Sequence, residues 1–157
     1  MSKKFTYLFL ALLLPGLIFA FLRKFGKNEF NIPVYYETGV DDVPGSCGSY
    51  PIPYLVPDSV MQIMNTENKP VLFVTDSSLV VKKNLDRLKS ELKESFTVVW
   101  ADPDRHERWP DCVFLLQKPW TAALVDTQGQ IRGYYTPVTR EEADRLTVEL
   151  RILLKQY

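Results

Sequence analysis

The hydrophobic pattern becomes regular from Lys69 onward. Residues 71–75 form a short apolar run, typical of a strand that is covered on both faces, and residues 96–101 repeat this pattern. Between these two runs, apolar residues recur at spacings of four, three and four, which predicts one buried helical face: Val81, Leu85, Leu88 and Leu92. Asp76, Ser77 and Ser78 are good N-cap types for that helix. The strand–helix–strand order predicts a parallel pair of strands.

Residues 102–120 form a connector with a less regular pattern, and a second group of predicted elements follows it. Residues 121–125 and 130–135 predict an antiparallel hairpin whose turn uses a positive φ at Gly129. Thr139 and Glu142 form a capping box before a final helix, whose inner stripe is Ala143, Leu146, Leu150, Leu153 and Leu154. The predicted fold class is therefore α/β with a central mixed sheet, ordered β-α-β and then β-β-α, which is the thioredoxin-like order.

The N-terminal region predicts a transmembrane helix. Residues 5–22 carry no charge, and as a helix they would extend about 27 Å, close to the thickness of a bilayer's hydrocarbon core. A cleaved signal peptide and a buried helix are the alternative interpretations, although the end of the run is a poor cleavage site. Basic residues flank both ends of the segment, so their count does not decide its orientation.

The chain between these two regions is rich in proline and glycine, which excludes long helices. Within it, residues 32–36 are interpreted as an edge strand and residues 50–54 as a second extended piece. The predicted organisation is a membrane anchor at residues 1–25, an irregular lead-in at residues 26–68 and a thioredoxin-like domain at residues 69–157.

Composition narrows the classes of function. Lys and Arg number 19, as do Asp and Glu, and this balance argues against a protein that binds nucleic acid. Two cysteines and one histidine cannot build a Cys-rich zinc site. The sequence contains no Cys-x-x-Cys pair, glycine-rich phosphate loop, His-Glu-x-x-His or Gly-x-Ser-x-Gly motif. We therefore expect a protein that is not an enzyme.

The C-terminal hairpin and helix resemble a known family. Residues 129–135 (GQIRGYY), the helix carrying Glu141, Glu142 and Asp144-Arg145-Leu146, and the dipeptide Asp102-Pro103 are similar to the Sco/SenC proteins. Members of that family are membrane-anchored copper proteins with a thioredoxin fold that help to assemble cytochrome c oxidase. The resemblance covers residues 69–157, and its most specific part is the last 40 residues.

The family's copper ligands do not carry over to this sequence. The Cys-x-x-x-Cys pair of the family would fall near Ser77 and Val81, and its histidine near Lys118. None of these side chains offers copper(I) a thiolate or an imidazole. We therefore expect no metal and no cofactor, and the alternative is a relocated copper site made by Cys47, Cys112 and His106.

The two cysteines and one proline have further interpretations. Cys47 and Cys112 could form a structural disulfide between the lead-in and the domain, while His106 is otherwise a surface residue. Pro119 precedes a strand at a position where thioredoxin-like proteins carry a cis-proline. Trp120 then either shapes a groove beside it or packs on the hairpin.

These observations lead to a preferred functional hypothesis and an alternative, while a third class, an enzyme with a site unlike the motifs above, has no positive support in the sequence. The first is a membrane-tethered, Sco-like module that catalyses nothing and binds or assembles an integral-membrane, respiratory complex. Its expected location is a bacterial-type inner membrane, crossed once, with the C-terminal domain in the periplasm. The alternative is a copper-binding or thiol–disulfide redox protein that uses Cys47 and Cys112.

Overall fold

The computed structural model describes residues 13–21, 23, 31–41, 47–64, 66 and 68–155. The chain divides into two compact units, Met1–Phe30 and Asn31–Tyr157. The described residues of the first unit are helical and exposed. The second unit contains the sheet, and its range shows that the lead-in from residue 31 belongs to the same compact unit as the domain.

The first unit corrects the localisation predicted from the sequence. Residues 13–21 extend about 14 Å as a helix, less than half of the roughly 30 Å of a hydrocarbon core. Residues 5–12 and 22 of the predicted span lie outside the described residues. Among the residues that are described, no helix is long and apolar enough to cross a membrane. The predicted single-pass inner-membrane protein with a periplasmic domain is therefore wrong on this finding.

The second unit contains a four-stranded mixed sheet. Its strands are β1 (Val71–Val74), β2 (Thr97–Trp100), β3 (Ala122–Val125) and β4 (Ile131–Tyr135), and their order in the sheet is β2-β1-β3-β4. Strands β1 and β2 are parallel, whereas β3 is antiparallel to both of its neighbours. The helices are α1 (Asp58–Ile63), α2 (Leu79–Glu91), α3 (Trp109–Cys112) and α4 (Arg140–Leu153). The predicted α/β class with a central mixed sheet is confirmed.

One face of the sheet packs against α2 and α4. Ser78 and Thr139 are the N-caps of these helices, and their hydroxyls accept from the backbone N–H groups of Val81 and Glu142. The predicted helical stripe is buried as expected. We call the resulting cluster the helix-side core: Leu72, Val74, Val81, Leu85, Leu88, Leu92, Phe96, Ala122, Leu124, Tyr135, Leu146 and Leu150.

The opposite face is covered by the lead-in and the connector. This lead-in-side core consists of Tyr54, Val56, Val60, Met64, Val71, Phe73, Phe114, Leu115, Leu116, Ala123, Val125, Ile131 and Tyr134. The edge strand predicted at residues 32–36 is wrong, because this segment has no strand structure. It nevertheless lies beside the start of β4, since the Tyr35 N–H donates to the Ile131 carbonyl at 2.9 Å.

The hairpin turn fixes the lead-in to the sheet. Gly129 adopts the predicted positive φ of 79°, and its carbonyl accepts from the Val56 N–H at 2.8 Å. Arg132 donates to the Ile32 carbonyl at 2.7 Å and pairs with Asp126 at 3.4 Å, with both side chains largely buried. These polar contacts place two points of the lead-in against the β3–β4 hairpin.

Candidate functional site

Loops from several strands meet at one end of the sheet. Val74 at the end of β1 is opposite Ala122 at the start of β3, and Ala122 is opposite Tyr135 at the end of β4. The Thr75 N–H donates to the Thr121 carbonyl at 2.9 Å, which joins the loop before α2 to the end of the connector. The segments at this end of the sheet therefore include residues 75–80 after β1, residues 117–121 before β3 and residues 136–138 after β4, beside the start of the connector after β2.

The connector enters β3 through a cis peptide bond between Lys118 and Pro119. The Pro119 carbonyl accepts from the Thr136 hydroxyl at 3.1 Å, and the Trp120 N–H donates to the Gln117 carbonyl at 2.9 Å. These bonds hold the backbone on both sides of the proline. Pro119 itself is exposed, so its ring is accessible at the surface.

Large apolar side chains are exposed on the three segments at this end of the sheet. Leu79 is 83% exposed, and Val80, Trp120 and Val138 are between 37% and 52% exposed. Asn84, one turn after Val80 on α2, donates to the carbonyl of Val138 at 3.3 Å, which brings the β4–α4 loop to the start of α2. We call this region the cis-proline surface: Leu79, Val80, Pro119, Trp120 and Val138.

Trp120 lies against an arginine that is held from several sides. The Arg145 guanidinium is 5.9 Å from the centre of the Trp120 ring and 4.8 Å from that of Tyr135. It pairs with Glu142 and Glu149 at 3.0 and 3.2 Å, and it donates to the backbone. The Tyr135 hydroxyl donates to Glu149 at 2.5 Å. Trp120 is thus backed by a cationic group while its ring remains partly exposed.

Burial and the neighbouring carboxylate keep the Tyr135 phenol protonated. Removal from water raises the pKa of Tyr135 well above its ordinary value, and its hydrogen bond to Glu149 raises it further. The hydroxyl therefore remains a donor throughout the physiological range. Its role in this site is to orient Glu149, which pairs with Arg145 beneath Trp120.

The two cysteines form a disulfide. Cys47 and Cys112 have Cα atoms 5.2 Å apart, within the range that a disulfide can span, and they are 65 residues apart in the chain. The bond joins the lead-in to the end of α3. It agrees with the predicted structural disulfide between these two cysteines, and it leaves neither sulfur as a thiol that could bind a metal.

Three tyrosine hydroxyls bind the connector directly after this bridge. Tyr50 donates to the Cys112 carbonyl at 2.9 Å, Tyr54 to the Val113 carbonyl at 2.7 Å, and Tyr134 to the Phe114 carbonyl at 2.8 Å. The Cys112 carbonyl is at the end of α3, where carbonyls lack partners within the helix, and Val113 and Phe114 lie beyond the helix, so the hydroxyls supply bonds that the local backbone does not. The lead-in and β4 thus hold three consecutive peptide units of the connector.

The same environment keeps these hydroxyls protonated. Desolvation raises the pKa of Tyr50, Tyr54 and Tyr134, and in each case the neighbouring tyrosines add to the effect. Arg108 opposes it at Tyr50. A phenol that remains protonated continues to donate, so the three bonds persist at any pH below the alkaline range.

His106 is placed inside the connector rather than among the cysteines. Its Nδ1 accepts from the Asp102 N–H at 3.1 Å, and its ring stacks on Trp109 with the ring centres 4.0 Å apart. Within the described part of the chain, no group of three or more His, Cys, Asp or Glu side chains could hold a metal ion. Cys47, Cys112 and His106 are therefore not assembled into the relocated copper site.

The positions where the Sco/SenC copper ligands would fall offer no replacement. Ser77 and Lys118 are exposed at the cis-proline surface, and Val81 is completely buried in the helix-side core. A buried valine contributes to packing and cannot bind a metal. Ser77 and Lys118 thus lie in exposed loops, whereas Val81 lies inside the first turn of α2.

Sequence reasoning found part of this site and missed the rest. Pro119 and Trp120 were expected, but Leu79, Val80 and Val138 were not. A signal for two of these was present, because Leu79 and Val80 directly follow the N-cap and lie off the buried stripe that begins at Val81. The three tyrosine–carbonyl bonds join residues 20 to 62 positions apart, and no local pattern reports such pairs.

Comparison with known proteins adds no relative. No protein-family model matches the chain, and a search of curated proteins finds no match.

Proposed function

We propose that this chain is a non-catalytic binding module with a thioredoxin-like fold, similar to Sco/SenC proteins but without their copper site. In this proposal, the cis-proline surface binds an extended segment of a partner protein. The single observation that carries it is the group of exposed apolar side chains around the cis-proline.

Support for the thioredoxin-like fold comes from topology. The strand order β2-β1-β3-β4, with β3 antiparallel to both of its neighbours, fits that fold. The resemblance of residues 129–135 and α4 to Sco/SenC proteins points in the same direction. It also makes a subunit of a respiratory complex the first partner protein to test.

The charges around the surface suggest what the partner segment contains. Lys83 lies one helical turn after Leu79 and is exposed, and Lys118 directly precedes the cis-proline and is also exposed. Arg145 beside Trp120 is already paired with Glu142 and Glu149, so it adds no net positive charge to these two lysines. A segment with one large apolar side chain flanked by Asp or Glu complements this arrangement, because burial supplies affinity and the charges orient the segment.

Extended segments bind well where a rigid scaffold presents fixed apolar groups. Pro119 has no freedom in φ, and Trp120 is supported by Arg145, so both present their rings in one arrangement. A binding site that is ordered in advance loses less conformational entropy on association. This explains how five residues could provide specific binding without any reactive group.

The test is selection of linear peptides of about 12 residues from a displayed library on the immobilised full-length protein. We expect the selected sequences to share an apolar residue flanked by acidic ones and to bind with micromolar Kd, about −7 to −8 kcal/mol. Trp120→Ala should weaken them at least about tenfold, since an aromatic anchor dominates a small interface. Lys83→Glu should weaken them about threefold at low salt.

Val148→Ser is the matched control, because Val148 is a valine of α4 that is 56% exposed outside the cis-proline surface. Its peptide affinity should equal that of the wild type. The proposal fails if the selected peptides share no sequence, or if Trp120→Ala binds them as well as the wild type does.

The copper alternative gains no observation in its favour, because the two cysteine sulfurs are bonded to each other and His106 is occupied in the connector.

A further inference from the structure

The two outer strands of the sheet have different neighbours. Beside β4, the lead-in contributes two bonds, because the Tyr35 N–H donates to the Ile131 carbonyl and Arg132 donates to the Ile32 carbonyl. Strand β2 is the outermost strand on the opposite side, where it pairs with β1. The lead-in thus covers part of the β4 edge, whereas the outer side of β2 faces no strand in the described part of the chain.

The backbone of β2 directs half of its polar groups away from the sheet. The N–H groups of Thr97 and Ala101 donate to carbonyls just before β1 and at its end, at 2.9 and 2.8 Å. Because successive residues of a strand alternate in direction, Val98 and Trp100 point their N–H and C=O groups outward. Among the described residues, these four groups have no hydrogen-bond partner. Such an edge is a template for a further strand.

His106 closes one end of this edge. Its Nδ1 accepts from the Asp102 N–H at 3.1 Å, and this N–H is the next one after Trp100 that would point outward. The open stretch is therefore short, and a partner strand of about five residues spans it. We call this stretch the β2 edge: the outward backbone groups of Val98 and Trp100.

Lysines of α2 lie along one side of the β2 edge. The Lys82 ammonium is 5.9 Å from the centre of the Trp100 ring, so this face of α2 is turned toward β2. Lys89 follows two helical turns later on the same face. Within the residues that the structure describes, neither lysine is part of an ion pair. Asp86 lies between them and is exposed, so the two lysines leave this flank with a net positive charge.

A strand paired with β2 would place its side chains in two different surroundings. Val98 and Trp100 are half-buried and pack against the helix-side core, whereas Val99 packs against the lead-in-side core. Residues directly opposite Val98 and Trp100 direct their side chains to the same face, toward Lys82 and Lys89. Carboxylates complement this face, and apolar side chains complement the other face beside Val99.

The same lysines argue against a second copy of this chain as the occupant. Antiparallel pairing of two copies through β2 would place both α2 helices on the same face of the joined sheet. Two flanks of like charge would then lie next to each other, and lysines beside an edge strand commonly prevent such pairing. A partner that carries carboxylates meets attraction in place of this repulsion.

We propose that the β2 edge binds an extended segment of a partner protein in which Asp or Glu alternates with apolar residues. The backbone of the segment pairs with Val98 and Trp100. Its carboxylates lie beside Lys82 and Lys89, and its apolar side chains cover Val99. This interaction does not rest on the cis-proline surface, with which the β2 edge shares no residue.

The first experiment measures binding of a fluorescent peptide of three Glu-Val repeats to the full-length protein at low salt, by fluorescence anisotropy. A peptide of three Lys-Val repeats has the same length and valines, and it should bind at least about tenfold more weakly. Lys89→Glu should weaken the Glu-Val peptide about fivefold. Lys83→Glu is the matched control, because Lys83 is exposed on the outer face of the same helix. It should leave the affinity unchanged, as should Trp120→Ala.

Methylation of the peptide's backbone nitrogens tests strand pairing without any change to the protein. Alternate N–H groups of an added strand face its neighbour, and the others face solvent. Methylation of one set, either all glutamates or all valines, should therefore abolish binding. Methylation of the other set should change the affinity less than about twofold, because it removes no bond to the protein.

Hydrogen exchange, followed for each amide by NMR, locates the bound peptide. The Glu-Val peptide should slow exchange at the N–H groups of Val98 and Trp100, while the Thr97 N–H, which is already bonded, should change little. Equal affinity for the Glu-Val and Lys-Val peptides, equal effects of the two methylated sets, or loss of binding in Trp120→Ala would overturn the proposal. Slow exchange at Val98 and Trp100 in a self-associated protein without peptide would also overturn it, because a second copy would then be the occupant.

Discussion

The two faces of the central sheet are covered by different kinds of structure. On one face, α2 and α4 bury aliphatic side chains such as Leu85, Leu88 and Leu146. On the other face lie the lead-in and the connector, whose helices α1 and α3 have only six and four residues. That second face contains tyrosines, an arginine–aspartate pair and the disulfide.

The difference follows from how each kind of backbone satisfies its polar groups. An α-helix pairs its own N–H and C=O groups, so its side chains need only bury apolar surface. An irregular segment cannot do this, and a buried carbonyl without a partner costs about 1–3 kcal/mol. In the connector these partners are the hydroxyls of Tyr50, Tyr54 and Tyr134. Each tyrosine packs its ring against apolar neighbours and donates its hydroxyl to one carbonyl.

The largest expected effect comes from removing the bridge on the irregular face. The double variant Cys47→Ala, Cys112→Ala should lose about 4 kcal/mol of unfolding free energy, because the unfolded chain regains the freedom of a 65-residue loop. Urea denaturation of the variant and the wild type measures this loss. Adding a reductant should destabilise only the wild type, and an equal effect on the variant would contradict the explanation.

The next effect tests the helical face. Leu85 is 1% exposed, so Leu85→Ala should cost about 3 kcal/mol through lost burial and the cavity that remains. The loss is measured by thermal or urea denaturation. Leu79→Ala is the control on the same helix, and it should change stability by less than about 0.5 kcal/mol because Leu79 is exposed. Similar losses in both variants would show that helical position, rather than burial, decides stability.

The smallest effect concerns single hydroxyl groups on the irregular face. Tyr134→Phe should cost about 1–2 kcal/mol, because the buried Phe114 carbonyl loses its donor. Tyr35→Phe, at a ring that is more than a third exposed, should cost much less. Urea denaturation at neutral pH compares the two variants, and equal losses would contradict a specific role of the Tyr134 hydroxyl.

The pH dependence of the unfolding free energy provides a second test of the Tyr134 hydroxyl. The pKa of Tyr134 is raised in the folded protein above its ordinary value near 10, so the unfolded chain loses the proton first as pH rises. Its stabilising contribution is complete below pH 10 and declines above it, by about 1.4 kcal/mol per pH unit. The stability of Tyr134→Phe should fall less steeply above pH 10 than that of the wild type.

The helical face could be predicted closely from the sequence, and the irregular face could not. The spacing of Val81, Leu85, Leu88 and Leu92 reports a buried helical stripe directly, since the period is a property of the helix itself. The bonds from Tyr54 and Tyr134 to the connector depend on how distant segments pack, and a tyrosine has no local period that reveals its partner. For the same reason the apolar pattern of residues 32–36 predicts a strand that the structure does not contain.

The edge strand β2 shows a further limit. Its apolar run suggested cover on both faces, yet all four of its residues are half-buried because it has a neighbouring strand on one side only. Hydrophobicity alone does not distinguish an edge strand from a central one. The cis-proline surface was found only at Pro119 and Trp120, because its other members come from loops that the sheet topology brings together.

The three tyrosine hydroxyls fix which carbonyl of the connector lies opposite which donor, much as hydrogen bonds fix the register of two paired strands. In a β-ladder, a neighbouring chain supplies donors at fixed intervals; here three side chains supply them to the carbonyls of Cys112, Val113 and Phe114. An inserted or deleted residue between Trp109 and Cys112 would shift all three carbonyls and the bridged cysteine together relative to Trp109, and one between Cys112 and Phe114 would change the spacing of the carbonyls. Substitution of the connector's exposed side chains leaves these contacts in place, whereas a change of its length in this stretch disrupts them.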